Sequence, residues 1–131
     1  MSFVVLDTDV ASRSLKHNLP DALAAKLAGQ SIAITFVTLG ELTKWTLVRT
    51  WGPRRLEALE HFLSRVLVLP YSRRVARTWG ELQAHAQRRG RPRPANDTWI
   101  AACCLARELP LATLNRKDFE DFAEHEGLQL I

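Results

Sequence analysis

The chain predicts an α/β layer fold with a mostly parallel sheet. Short apolar runs of strand length recur at residues 3–6, 32–34, 66–69, 111–114 and 128–131. Between them lie longer stretches with helical apolar spacing and recognisable starts and stops. Alternation of these two patterns along a chain of 131 residues is what one sheet buried between helices requires. No repeat, linker or low-complexity tract interrupts it.

Taken in order, residues 3–6 form a buried strand that ends on Asp7. Residues 19–28 read as a helix opened by Pro20, with Gly29 just past its end. Residues 32–34 give the next strand. Thr38 then caps a helix in which Glu41 takes the third helical position, a capping box. That helix runs to about Thr50, Gly52 and Pro53 break it, and another follows to about Arg65. After the strand at 66–69, stopped by Pro70, Ser72 caps a long basic helix ending near Arg89 and Gly90. Arg91-Pro92-Arg93-Pro94 is a stiff extended loop. Asn96 caps a helix through Glu108, residues 111–114 form a strand, 116–125 a short helix, and 128–131 a last strand.

Composition sets the outer bounds. Hydrophobic residues make up 47% and charged residues 24%, the balance of a soluble domain. No apolar run reaches bilayer length, and the start Met-Ser-Phe-Val-Val-Leu-Asp lacks the basic lead of a signal peptide. The expected location is cytoplasmic, with no membrane partner. Cys103 and Cys104 are adjacent within an apolar helix and read as buried free thiols. Residues 44–94 hold 12 Lys and Arg against 3 Glu, whereas the remainder holds 6 basic and 11 acidic residues. A basic middle beside an acidic remainder points to a polyanionic partner. His17, His61, His85 and His125 are scattered with no ligand spacing, and Trp45, Trp51, Trp79 and Trp99 read as core or interface anchors.

Asp7, Glu41, Asp97 and Asp118 each sit at a boundary of an apolar segment. Carboxylates gathered at segment ends make an oxygen-ligand site for a hard divalent ion such as Mg²⁺ or Mn²⁺. Each also has a local explanation. Asp7 can start a turn, Glu41 can close the capping box, Asp97 can answer a helix dipole, and Asp118 can be a surface acid. Asp9 is better placed to cap the short helix that follows it than to bind metal. Glu41 and Asp97, however, share their helix stripes with Trp45 and Val48, and with Ile100, Ala101, Cys104 and Leu105. An acid facing a core needs a partner.

The ordered motifs Val-Leu-Asp-Thr-Asp-Val (5–10), Thr-Leu-Gly-Glu-Leu (38–42), Asn-Asp-Thr-Trp-Ile-Ala-Ala (96–102) and Ala-Thr-Leu-Asn-Arg-Lys-Asp-Phe (112–119) resemble the PIN-domain ribonucleases. The resemblance is strongest to the VapC toxins of bacterial toxin–antitoxin pairs and spans almost the whole chain. It implies a PIN-like three-layer fold over residues 1–131, a mostly parallel sheet flanked by helices. It implies a catalytic and metal-binding quartet at Asp7, Glu41, Asp97 and Asp118, with Asp7 and Asp97 the firmest ligands. Thr8, Asn96, Thr113 and Asn115 match polar positions around that site, and Asp9 lies among them as a departure. Asp9 stands where the family often has Asn, and Leu114 where a basic residue is common.

The activity implied is Mg²⁺- or Mn²⁺-dependent endoribonuclease action, with the ion activating water for in-line attack on a phosphodiester. Arg88, Arg89, Arg91, Arg93 and Arg116 are candidates for holding the RNA backbone. The implied partners are RNA, a cognate VapB-like antitoxin and a second copy in a homodimer. Two other readings compete. Asp7-Thr8-Asp9 has the D-x-D shape of a haloacid-dehalogenase-like phosphatase, although that family also needs a cap domain. A non-enzymatic RNA- or protein-binding module would use the basic helices alone.

Overall fold

The computed structural model describes residues 3–131. Met1 and Ser2, part of the start read above for a signal peptide, lie outside the described residues. The strands are β1 (Phe3–Leu6), β2 (Ser31–Thr35), β3 (Leu67–Leu69) and β4 (Leu111–Ala112). The helices are α1 (Thr8–Leu15), α2 (Asp21–Leu27), α3 (Phe36–Val48), α4 (Pro53–Arg65), α5 (Arg73–Arg88), α6 (Ala95–Arg107) and α7 (Arg116–Glu126). All strand pairs are parallel, in the order β3-β2-β1-β4.

The period-two alternation of the strands splits the core into two layers. Val5, Ala33 and Leu111 face one side and pack with Val75 and Leu82 of α5, the apolar stripe of α6, and Phe119 and Phe122 of α7. Val4, Leu6, Ile34 and Ala112 face the other side and meet α1, α2, α3 and α4 through Val10, Leu23, Leu42 and Leu59. The result is the three-layer fold expected from the sequence. No helix among the described residues is long and apolar enough to cross a membrane.

Several boundaries differ from the sequence reading, each for a local reason. Helix α3 starts three residues earlier than expected, because Thr35 rather than Thr38 is its N-cap and its hydroxyl accepts from the Thr38 N–H at 3.2 Å. The expected capping box is therefore absent, and Glu41 lies in the second turn. Asn96 does not cap α6 either. Pro94 occupies that position without a side-chain bond, and Asn96 is exposed inside the first turn. Asp7 rather than Asp9 caps α1, accepting from the Val10 N–H at 2.9 Å. The expected last strand contributes a single bridge, Leu130 to Leu111, at the outer edge of β4. Trp51 is buried, Trp79 and Trp99 stack at 4.9 Å, and both cysteines are buried and free. Burial lifts the Cys103 thiol to about 11 and raises Cys104 further.

Ser72 does cap α5, its hydroxyl accepting from the Val75 N–H at 3.1 Å. Ser72→Ala should cost about 1 kcal/mol of stability through the lost cap. Asn96→Ala should change stability by less than about 0.5 kcal/mol, because that side chain caps nothing. Urea denaturation of the two variants separates these outcomes.

Candidate active site

Parallel sheets bind ligands at the carboxyl ends of their strands, where the chain's connections diverge to either side. Here that point lies between β1, which leads out to β2, and β4 on its other flank. A cavity of about 180 Å³ opens there, lined by Asp7, Glu41, Asp97 and Asp118. Four elements contribute the four acids: the end of β1, the second turn of α3, and the first turns of α6 and α7. A larger groove of about 560 Å³ lies at the opposite end of the sheet, beside Phe3, Ser31 and Leu67. Its lining contains no carboxylate, so chemistry rather than size marks the smaller cavity as the site.

Asp7 is only 4% exposed. Its two oxygens are separately fixed, Oδ1 by the Val10 N–H at 2.9 Å and Oδ2 by the Thr113 hydroxyl at 2.6 Å. Burial raises its pKa above the ordinary carboxylate value; these two hydrogen bonds oppose the rise, while the charges of Asp9 and Asp118 add to it. Glu41 accepts from the Thr8 hydroxyl at 2.7 Å, and that hydroxyl lies 3.0 Å from the Thr38 hydroxyl. Asp97 is half-buried, and burial together with the charges of Asp118 and Glu41 lifts its pKa to about 6. Among the described residues none of the four acids is ion-paired with Lys, Arg or His. Nor do three acidic, His or Cys side chains there stand close enough to hold an ion by themselves. The acids surround a shared space without forming a closed cage.

The polar neighbours divide. Thr8 and Asn115 line the cavity, and the backbone N–H of Asn115 donates to the Thr113 hydroxyl at 3.0 Å. Asp9 reaches the rim and pairs with Arg13 at 3.3 Å. Asn96 is exposed and does not line the cavity. Arg88, Arg91 and Arg116 are exposed, and the half-buried Arg93 lies near enough to lower the Asp97 pKa in opposition to the acids. Arg89 is turned inward into an ion pair with Asp121 at 2.7 Å, unlike the exposed arginines expected beside it as RNA contacts. Thr38, expected from the sequence as a helix cap, instead joins the site through the Thr8 hydroxyl, and its spacing of three from Glu41 is the signal for this in the sequence. Trp45, Ile100 and Phe119 form the apolar walls, and they follow Glu41, Asp97 and Asp118 by four, three and one positions.

The PIN domain family model matches residues 4–125. The chain belongs to the PIN-domain family. Within it, this PIN domain is of the VapC type. The tRNA(fMet)-specific endonuclease VapC of Shigella flexneri is 32% identical over 118 residues, covering 88% of this chain and 89% of that protein. Ribonuclease VapC5 of Mycobacterium tuberculosis is 34% identical over 127 residues, covering 94% and 87%. The structure of VapBC2 from Rickettsia felis bound to a DNA fragment from their promoter matches with a TM-score of 0.83 at 25% identity, covering 98% of this chain and 97% of that one. VapBC-5 from Mycobacterium tuberculosis matches with a TM-score of 0.73 at 30% identity, covering 100% and 98%. Membership of this family sets aside the haloacid-dehalogenase reading of Asp7-Thr8-Asp9.

The Asp97 shift has a definite sign. A carboxyl with a folded pKa near 6 keeps its proton in the fold after the unfolded chain, at 3.8, has released it. Its contribution to stability is complete below about pH 4 and is lost as pH rises through about 6. Without divalent cations, Asp97→Asn should therefore be more stable than the wild type at pH 7.5, by about 1 kcal/mol once water screening at this half-exposed group is allowed for. The gap should close at pH 4. Thermal melts of both proteins at the two pH values measure it.

Proposed function

We propose that this chain is a divalent-cation-dependent endoribonuclease, the toxin of a VapBC-type toxin–antitoxin pair. One observation carries the reading: four carboxylates from four separate elements line one cavity and, among the described residues, none is ion-paired with a cationic side chain, in a chain of the VapC type. The relatives named as ribonucleases supply the substrate class. Uncompensated negative charge, an all-oxygen donor set and two carboxyls raised by their surroundings fit a hard divalent ion. Mg²⁺ suits the open arrangement, since it keeps several waters and takes only one or two carboxylates directly; Mn²⁺ accepts the same donors.

Asp7 and Asp97 would hold the ion, with Glu41 and Asp118 completing the charge around it. When bound, such an ion lowers the pKa of a water and stabilises negative charge on the leaving 3′-oxygen. The chain's own residues prepare that chemistry. Thr113 and the Val10 N–H fix both oxygens of Asp7, and Thr8 orients Glu41 while itself meeting Thr38. Prepositioned ligands of this kind spare the reorganisation that would otherwise accompany each turnover. Exposed Arg88, Arg91 and Arg116, with Arg93 beside Asp97, offer phosphate contacts around the cavity.

The same reading extends to assembly. Leu47 and Val48 at the end of α3 are 77% and 69% exposed, and Leu56 on α4 is 41% exposed. Apolar surface of this kind favours a homodimer and an antitoxin segment lying along α3 and α4. VapBC complexes among the structural relatives support the antitoxin as partner. Trp51, read from the sequence as a core or interface anchor, belongs to the core.

Asp97→Asn nearly preserves side-chain volume, and its fold should survive. It should retain single-stranded RNA binding but lose cleavage by at least about a hundredfold, as removal of a direct metal ligand demands. Cleavage by this variant at the wild-type rate would reduce Asp97 to a helix-end charge. Light scattering of the wild type should give the mass of a dimer; a monomer at high concentration would contradict the assembly.

A further inference from the structure

We propose that Arg89 is a positioning residue for Asp118: it fixes the rotation of α7 and thereby the place of that carboxylate in the cavity. The proposal rests on the cation-dependent reading of the site given above.

The guanidinium of Arg89 spans two points of α7. Nη2 donates to Asp121 Oδ2 at 2.7 Å, and Nη1 donates to Glu126 Oε2 at 2.9 Å. Arg89 is 22% exposed, and its partners are 3% and 12% exposed. His85, one turn earlier on α5, also meets Glu126, through Nδ1 at 3.1 Å. A planar fork held at two sites five residues apart restricts both rotation and sliding of the helix that carries them.

Asp121 follows Asp118 by three residues, so the two lie on neighbouring rows of one helix face. Any rotation of α7 that moved Asp121 would swing Asp118 through the same angle. Phe119 and Phe122 bury α7 in the core, but apolar contact is non-directional and sets depth more firmly than rotation. Arg89 also caps α5, and only the loop 90–94 separates it from α6 and Asp97. One side chain therefore ties the segment leading to Asp97 to the helix that carries Asp118.

Stability alone is a poor explanation for this cluster. Among the described residues Arg89 Nε and Asp121 Oδ1 are buried without hydrogen-bond partners, His125 Nε2 standing 3.8 Å from the latter, and buried ion pairs often stabilise less than apolar replacements would. What the fork supplies is a defined angle.

The test uses the whole protein below its melting temperature and compares the wild type with Arg89→Lys, Asp121→Asn and the double variant. Lysine keeps the charge and loses the fork. Titration calorimetry with Mn²⁺ should show affinity weakened about tenfold in each single variant, the scale expected when a residue orienting a metal ligand is lost. The double variant should be no weaker than the singles, because both act through one link. In cleavage assays kcat should fall while KM holds, and the salt dependence of binding to a single-stranded RNA oligonucleotide should stay as in the wild type. Two results in these variants would overturn the proposal. One is a lowered melting temperature with wild-type Mn²⁺ affinity, which would make the cluster structural only. The other is a flattened salt slope with wild-type Mn²⁺ affinity, which would make Arg89 an RNA contact. If Arg89→Lys does not fold, Glu126→Ala removes only the outer arm of the fork; it should weaken Mn²⁺ about threefold, a lesser loss than that of the whole orienting residue, and wild-type affinity there would also overturn the proposal. A wild type that binds no Mn²⁺ would instead remove the cation-dependent reading beneath it.

Discussion

The mutual repulsion of four carboxylates around one small cavity is the constraint to which the rest of the architecture answers. Like charges in a partly desolvated space are unfavourable, and folding brings these four together from distant parts of the chain. The fold tolerates the arrangement by anchoring each acid in a rigid element and by giving two of them neutral donors. Asp7 receives a backbone N–H and the Thr113 hydroxyl; Glu41 receives the Thr8 hydroxyl. Neutral donors hold a carboxylate in place without cancelling its charge, whereas an arginine in the same position would occupy the attraction that a metal ion needs. The two-sided core explains how the tension is borne: apolar layers on both faces of the sheet fix the strand ends from which Asp7 and Thr113 project.

Charge is sorted across the molecule in a way that separates two tasks. Of the arginines expected to meet RNA, Arg89 is paired inside the α5–α7 cluster, and the exposed Arg88, Arg91 and Arg116 lie outside it. Sequence proximity alone joined Arg88 and Arg89 as equivalent backbone contacts. On a helix, neighbours point about 100° apart, and that angle sends one toward solvent and the other toward Asp121.

The layer architecture was readable because strand and helix periods differ and because Gly29, Pro53, Pro70 and Ser72 punctuate the chain at physically sensible positions. The acidic quartet was readable for a related reason: Glu41 and Asp97 sit on apolar stripes, which no surface acid needs to do. The cap of α3 was not. Thr35 and Thr38 are both capable residues three positions apart, and the choice depends on where β2 stops pairing, at the Thr35–Leu69 register. The Asn96 cap failed for a similar reason, since Pro94 fixes the entry of α6 before Asn96 is reached. The last strand was overextended because the apolar pattern of residues 128–131 records burial against β4, and one bridge satisfies it. The Arg89 fork was invisible because its partners lie more than thirty positions away.

The adjacent cysteines carry a practical consequence. Cys103 and Cys104 lie in α6 with no exposed surface, and their thiols hold their protons well above neutral pH. A thiol must ionise and meet its reagent to react, and here neither condition is met while α6 remains packed. The pair thus works as an internal clock for opening of the domain: at neutral pH, alkylation proceeds only as fast as the fold admits solvent to the helix that bears Asp97. Exchange between closed and open forms can be timed by mass alone, without a dye, an engineered residue or any change to the charges around the cavity.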